Sequence, residues 1–300
     1  MPNTTKIYDY TSSNVPLKIV YVYLNLDNAM VRWNVARGVI YSPERIKEFD
    51  SSLISFFMAS RLIKEITFFQ LEQDLEKVRK EKFPDKVSRL QGLYFFEDKS
   101  NADLARSIFQ TQVLTTAKII DPSAIYDKHD MNWITYYNLI KDDPEWMKKY
   151  WCGEICPCFE YGPVWECLTN ETLQVTDTTI EKQCLEGFIA EDEQFGPLIL
   201  SANAAARYGY LFGAVFFTIV SESTHIHLRV VMPCGPNLQQ DWVDILNLLK
   251  EKCPNNYNIL HRQFQKNLLK DGSLCAIPDF GKHAWCITES KILKECSLNN

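Results

Sequence analysis

The sequence YWCGEICPCFEYGPVWECLTNETLQV, residues 150–175, passes from a loop rich in Cys, Pro and aromatic residues into a short apolar segment, residues 164–168. After the polar residues 169–172 the chain continues with a second short segment, residues 173–175. Two short apolar segments around a polar turn are typical of a β-hairpin. The sequence therefore predicts a hairpin at the edge of a hydrophobic core.

Glu166 is the unusual residue of this stretch, because it lies between Trp165 and Cys167 in an otherwise apolar strand. Burying an isolated charge is costly, so the carboxylate must be solvated in a cleft, paired or neutralised. One interpretation is that the strand lies at a sheet edge and that Glu166 points into water. The other is that Glu166 belongs to a functional cleft.

The composition indicates a globular protein of one large domain or two ordinary ones, with 46% hydrophobic and 23% charged residues among 300. The formal net charge is −6, and no long run of Lys or Arg occurs. The field of the whole molecule therefore repels polyanions. A nucleic-acid substrate would need a local basic groove.

Neither a signal peptide nor a membrane span is predicted. The apolar run at residues 208–220 is shorter than the roughly 20 residues that cross a bilayer. The N-terminal residues lack a basic segment followed by an apolar one, and the ten cysteines do not form a small secreted framework. We therefore expect reduced thiols, a cytoplasmic location and no membrane partner.

The order of predicted elements indicates the α+β class. Alternating apolar residues predict a first strand at 17–24, and Asn28 and Gly38 are placed to cap a helix at 29–36. Two helices are predicted up to residue 80, a strand at 87–96 and a helix at 100–112. The polar and acidic stretch 178–197 suggests a boundary, which gives a catalytic part at residues 1–178 and an extension at 179–300.

Two segments together resemble a known family. GLYFFEDKSNADLA, residues 92–105, has a glycine and aromatics before a short loop and a small-residue helix, and VWECLTNETLQVTD, residues 164–177, has a Glu-x-Leu strand, a turn and a further strand. In this order they resemble motifs of the ADP-ribosyltransferase superfamily, of the bacterial toxin and antiphage toxin–antitoxin type. The resemblance implies a split pair of small β-sheets that grip NAD between them.

The resemblance also implies roles for individual residues. Glu166 corresponds to the catalytic carboxylate, which stabilises positive charge on the ribose carbon as the nicotinamide leaves. Tyr94 is placed to stack on the nicotinamide and Arg89 to neutralise the pyrophosphate. Ser88 is placed to hold the strand or the ribose, and Tyr23 lies where the family offers Arg or His to the cofactor. The implied partners are NAD, a macromolecular acceptor and, for a toxin, an antitoxin protein.

The acceptor stays open between nucleic acid and protein. Val164 stands where members that modify arginine carry Glu or Gln, which disfavours arginine as the acceptor. Glu154 and Glu160 of the preceding loop could activate a nucleophile, and Tyr161 and Trp165 could stack on a base or a protein side chain.

Two other classes of function are compatible with the sequence. The missing Arg or His on the first strand suits a non-catalytic interaction protein that keeps the fold. A metal-dependent nucleic-acid enzyme would use the cysteines of the loop or the pair His225 and His227, which share one face of a predicted strand. The cysteines form one crowded group rather than two separated pairs, so we predict no metal site. The loop cysteines are Cys152, Cys156 and Cys158.

Overall fold

The computed structural model describes residues 17–46, 53–64, 68–121, 123–158, 162–222, 225–231 and 285–288, and the positions 244, 246–248, 250–251 and 258. The helices are α1 (Ala29–Ala36), α2 (Phe56–Lys64), α3 (Phe68–Lys82), α4 (Lys99–Leu104), α5 (Asn132–Thr135), α6 (Tyr137–Ile140), α7 (Trp146–Cys152), α8 (Thr178–Glu191) and α9 (Gly196–Arg207). The strands are β1 (Ile19–Leu24), β2 (Val39–Ile40), β3 (Leu53–Ile54), β4 (Leu93–Phe95), β5 (Val113–Ile119), β6 (Tyr126–Asp130), β7 (Trp165–Thr169), β8 (Leu173–Val175), β9 (Phe216–Glu222), β10 (His225–Val231) and β11 (Trp285–Thr288). The predicted α+β class is confirmed.

The strands form three small sheets whose pairs are antiparallel. The first has the order β1-β5-β8-β2, the second β4-β7-β6 and the third β11-β10-β9-β3. Among the described residues, one isolated bridge joins the first two sheets, in which Tyr21 and Phe96 exchange backbone hydrogen bonds of 2.9 and 2.8 Å. The first and second sheets are therefore linked where β1 passes the end of β4.

The predicted hairpin is wrong. β7 lies in the middle of the second sheet, between β4 and β6, whereas β8 lies between β5 and β2 in the first sheet. Both edges of each strand are occupied, so the two strands cannot pair with each other. Residues 170–172 instead carry the chain from one sheet to the other. The interpretation of β7 as an edge strand with Glu166 in water is also wrong, because Glu166 is only 6% exposed.

The first strand and helix form where the sequence predicts them. β1 alternates apolar residues with strong strand formers, and the Asn28 side chain caps α1 by accepting hydrogen bonds from the backbone N–H groups of Met30 and Val31. Gly38 follows the helix with a φ of 77°, which a glycine adopts without steric cost. These signals are local, and the structure confirms them.

Two predicted elements are shorter than expected. Only residues 93–95 of the predicted strand 87–96 are extended, because the Gly92 N–H donates to the Ser88 carbonyl at 2.7 Å and closes a tight turn. A Cβ at position 92 would lie 2.7 Å from that carbonyl oxygen, so the turn requires glycine. The predicted helix 100–112 is α4 followed by a 3₁₀ turn at Ala105–Ser107.

The hydrophobic core crosses the predicted boundary at residue 178. Val22 of β1 and Trp33 of α1 belong to the same buried cluster as Phe188 of α8 and Phe217 of β9, and β9 also pairs with β3. Described residues on both sides of position 178 therefore share one buried cluster, and the division into residues 1–178 and 179–300 stays a prediction. No described helix is long and apolar enough to cross a membrane.

Candidate functional site

A cavity of about 280 Å³ is lined by residues of both of the first two sheets. Tyr23 of β1, Tyr94 of β4 and Glu166 of β7 line it, together with residues of α2 and the start of α3. Eight of its eighteen described lining residues are aromatic, and its volume is near the lower end of the range for small-molecule pockets. The cavity therefore combines one buried carboxylate with flat apolar walls.

The Glu166 carboxylate is held at one of its two oxygens. Oε1 accepts a hydrogen bond of 2.5 Å from Arg89 Nη1 and one of 3.0 Å from the Tyr150 hydroxyl. Among the described residues, Oε2 has no hydrogen-bond partner. The carboxylate is thus fixed in orientation while one oxygen stays available to a ligand in the cavity.

A chain of alternating charges lies behind Glu166. Arg89 is 1% exposed and forms a two-point contact with Glu72, at 2.8 Å from Nε and 3.1 Å from Nη2. Glu72 also pairs with Arg61 at 3.3 Å. The chain Glu166–Arg89–Glu72–Arg61 therefore begins and ends at residues that line the cavity.

The pairing keeps Glu72 charged in the interior. Burial acts to raise the pKa of Glu72, but the charges of Arg89 and Arg61 and the hydrogen bonds from Arg89 outweigh burial and lower it. For Tyr150, burial is the main cause and raises the pKa well above its usual value, so the phenol stays protonated and donates. Near neutral pH, Glu72 is therefore ionised and the Tyr150 phenol keeps its proton.

The elements that hold this wall come from distant parts of the chain. The tight turn before β4 carries Arg89 inward, and α3 presents Glu72 from a buried face. The Trp151 indole of α7 donates to the Leu75 carbonyl of α3 at 3.0 Å, which fixes Tyr150 beside them. The geometry of the carboxylate therefore depends on contacts between three separate segments.

The predicted site residues fall into two groups. Tyr23 and Tyr94 line the cavity. The Tyr23 hydroxyl donates to the Ala102 carbonyl at 2.8 Å, and the Tyr94 hydroxyl donates to the Arg89 carbonyl at 2.8 Å. Ser88 and Arg89 are not among its lining residues. The Ser88 hydroxyl donates to Glu76 at 2.9 Å, so Ser88 supports the wall.

The contact of Arg89 with a pyrophosphate stays a prediction. In the described structure its guanidinium is bonded to Glu72, Tyr150 and Glu166 and is buried. This surrounding suits a residue that orients Glu166 better than one that binds a ligand.

The described lining also includes polar residues that the sequence does not single out, among them two neighbours on α2. Arg61 and Ser60 of α2 line the cavity, Arg61 with 30% of its side chain exposed and Ser60 with a buried hydroxyl that has no hydrogen-bond partner among the described residues. In the sequence they stand inside an amphipathic helix, where a Ser-Arg pair resembles an ordinary solvated face. Glu72 of α3, between Leu71 and Gln73, likewise resembles an ordinary charge on the surface of a helix.

His129 and Asp130 support β7 from the neighbouring strand. His129 lies opposite Glu166 in the β6–β7 register, and its Nδ1 lies 2.9 Å from the Tyr150 carbonyl. A carbonyl only accepts, so Nδ1 carries the proton, and burial lowers the pKa of His129. The Asp130 carboxylate accepts backbone hydrogen bonds from Asn132, Cys156 and Val164, which fixes the loop before β7.

The loop before β7 contains the other predicted candidates. Glu154 is exposed and does not line the cavity, while Glu160 and Tyr161 lie outside the described residues. The described cysteines are free, and no group of three or more His, Cys, Asp or Glu side chains within the described residues is arranged to hold a metal. β10 begins at His225, but its side chains lie outside the described part of the structure.

The chain belongs to a family of proteins of unknown function, DUF2441, whose model matches residues 27–182, just over half of its length. No curated protein matches the sequence. The matched segment includes Glu166, the chain of charges behind it and the described lining of the cavity except Tyr23 and Asn25.

Proposed function

We propose that the protein is an NAD-dependent mono-ADP-ribosyltransferase that transfers ADP-ribose to a macromolecular acceptor. The observation that carries the proposal is the Glu166 carboxylate, oriented by Arg89 and Tyr150 in the wall of a cavity that residues of both of the first two sheets line. A fixed carboxylate is suited to stabilising positive charge that develops in a transition state, because it needs no reorganisation during the reaction.

The arrangement of the sheets also supports the proposal. An ADP-ribosyltransferase-like core would have two small sheets that meet at a cleft, with the catalytic carboxylate on a strand of one of them. Here the first and second sheets meet at the Tyr21–Phe96 bridge, and β7 carries Glu166 in the second sheet. Residues 170–172 connect β7 of the second sheet directly to β8 of the first, so one short segment links the two sheets that contribute residues to the cavity.

In the proposed reaction, the bond between the nicotinamide nitrogen and the ribose carbon breaks, and the electron pair leaves with nicotinamide. Glu166 stabilises the positive charge that remains on the ribose and accepts a hydrogen bond from a ribose hydroxyl. Tyr94 offers a ring face for the nicotinamide, and the aromatic walls exclude water. A nucleophile of the acceptor then bonds to the ribose carbon and loses its proton.

The test is incubation of the purified protein with labelled NAD and a cell extract, followed by separate digestion with nuclease and protease. Label that nuclease removes identifies a nucleic-acid acceptor, and label that protease removes identifies a protein acceptor. If the transferase is a toxin, adding its antitoxin partner abolishes the labelling. The absence of label together with the absence of NAD binding in calorimetry would refute the proposal.

A second candidate is an interaction protein that keeps the fold without catalysis. It is favoured by β1, whose Tyr23 lines the cavity with its hydroxyl turned to the Ala102 carbonyl and offers no cation to a cofactor. NAD binding separates the two candidates, since the interaction protein has none.

A further inference from the structure

Arg61 is the only cation among the described residues that line the cavity. It lies on α2, and Glu166 on β7 is the only carboxylate in the same described lining. The cavity therefore has a basic and an acidic position. The anionic group of a ligand would pair with Arg61, and charge repulsion would keep that group away from Glu166.

Ser60 adds a buried hydroxyl beside Arg61 in sequence. Ser60 is 9% exposed and lines the cavity, and within the part of the chain that the structure describes its hydroxyl oxygen has no hydrogen-bond partner. Buried polar groups without partners are uncommon and costly, so such a hydroxyl at a cavity wall indicates a missing partner. A ligand oxygen in the cavity would supply it.

The Arg61 guanidinium is positioned but not saturated by its surroundings. It stacks on the Phe68 ring at 4.0 Å and pairs with Glu72 through Nη1 at 3.3 Å, which is longer than either contact between Arg89 and Glu72. Glu72 gives its shorter contacts to Arg89. The planar guanidinium thus retains donors for a second anion.

We propose that Arg61 and Ser60 form a phosphate-binding subsite that takes the diphosphate of the dinucleotide, a role that rests on the proposed function. A guanidinium and a hydroxyl are donors of the kind that phosphate oxygens accept, and the guanidinium can bind two of them at once. With the diphosphate at Arg61, the ribose and nicotinamide of the same molecule extend toward Glu166 and Tyr94. The subsite supplies the cation that β1 does not.

The test compares three probes by ligand-observed NMR and calorimetry: NAD, nicotinamide riboside, which lacks phosphate, and inorganic pyrophosphate. R61Q weakens NAD and pyrophosphate binding by about 10- to 100-fold, since hydrogen bonds to charged groups are lost. Nicotinamide riboside binding changes by less than about twofold. Equal weakening of all three probes, or no weakening of pyrophosphate, would overturn the subsite.

S60A provides a second, independent measurement. The hydroxyl has no partner in the described structure, so its removal leaves the melting temperature unchanged or raises it. The same substitution weakens NAD and pyrophosphate by about 2- to 10-fold. A loss of thermal stability without any loss of phosphate binding would assign Ser60 to packing alone and contradict the proposal.

Arg32 is a matched control for Arg61. It is 28% exposed, lies over the Phe188 ring at 4.5 Å and pairs with Glu191, but it is not among the described lining of the cavity. R32Q leaves the affinity for all three probes unchanged, and an R32Q effect equal to that of R61Q would overturn the subsite.

The failures of the two proposals are distinguishable. If the wild type cleaves NAD but R61Q binds it normally, the subsite is refuted and the transferase stands. If pyrophosphate binds through Arg61 but NAD is neither bound nor cleaved, the transferase is refuted and a phosphate site remains. If no probe binds to the wild type, both are refuted.

Discussion

The two charged positions of the cavity are held in different ways. Glu166 is 6% exposed and receives hydrogen bonds from Arg89 and Tyr150, both buried. Arg61 keeps 30% of its side chain exposed and rests on Phe68 with one longer contact to Glu72. A carboxylate that acts on a transition state gains from a fixed orientation, whereas a cation that binds an anionic ligand needs donors that protein acceptors have not already taken. The difference indicates a rigid chemical end and a binding end with donors left for a ligand.

The largest expected effect is on catalysis. E166Q keeps the shape of the side chain and removes its charge, so transfer falls by at least about a hundredfold while NAD affinity stays within about tenfold. The measurements are transfer of label and calorimetric titration with NAD.

E76Q is the control for the loss of a buried carboxylate. Glu76 is 6% exposed and pairs with Arg79 and Ser88 without lining the cavity. E76Q loses stability but retains transfer. Equal losses of stability and of transfer in E166Q would instead make Glu166 structural.

The second effect is on stability, where Arg89 and Arg61 are expected to differ. R89M leaves Glu72 and Glu166 without their buried counter-ion and lowers the free energy of unfolding by about 3–5 kcal/mol. R61Q, at a partly exposed pair, lowers it by less than about 1 kcal/mol. Denaturant titrations measure both losses. R89K keeps the charge, so its loss is expected to lie between those of R61Q and R89M, and R89K takes the place of R89M if that variant does not fold. Similar losses for R61Q and R89K would contradict the contrast between the two ends.

The third effect is a pH dependence of the free energy of unfolding, caused by His129 beside Glu166. Burial lowers the pKa of His129 from 6.5, so the unfolded chain binds the proton more tightly than the folded one. The stability due to neutral His129 is complete above pH 6.5 and is lost as the pH falls from 6.5 through the folded-state pKa. H129N keeps a donor near the Tyr150 carbonyl and makes the free energy of unfolding less dependent on pH in this range. An unchanged slope would show that His129 is not the group responsible.

The smallest effect is expected from Y150F. It removes one of the two hydrogen bonds to Glu166 Oε1 and costs about 0.5–1.5 kcal/mol of stability. Because Arg89 still holds that oxygen, transfer falls less than in E166Q. Denaturant titration and the labelling assay measure the two quantities, and a loss of transfer as large as that of E166Q would show that Tyr150 takes part in the chemistry.

The sequence predicts the parts of the molecule that have local causes. The alternation of β1 and the Asn28 cap of α1 depend on neighbouring residues, and both appear as predicted. The partners of β7 and β8 depend on strands far away in sequence, so the hairpin pattern was misleading. A turn of polar residues between two short strands suits a hairpin and a crossing between sheets equally well.

The candidate site shows the same division. Glu166 stands out because a charge in an apolar strand is unusual, and Tyr94 because it follows Gly-Leu before another aromatic. Glu72 and Arg61 resemble surface charges of amphipathic helices, and their burial and pairing arise only when α2, α3 and the turn before β4 pack together. Their roles therefore required the tertiary structure.

The most direct test of the central account is a crystal structure of E166Q with NAD. The account predicts the nicotinamide and its ribose in the cavity between the first two sheets, with the ribose carbon beside position 166 and the diphosphate at Arg61. NAD bound elsewhere on the molecule, or a cavity that stays closed to NAD at saturating concentration, would contradict it.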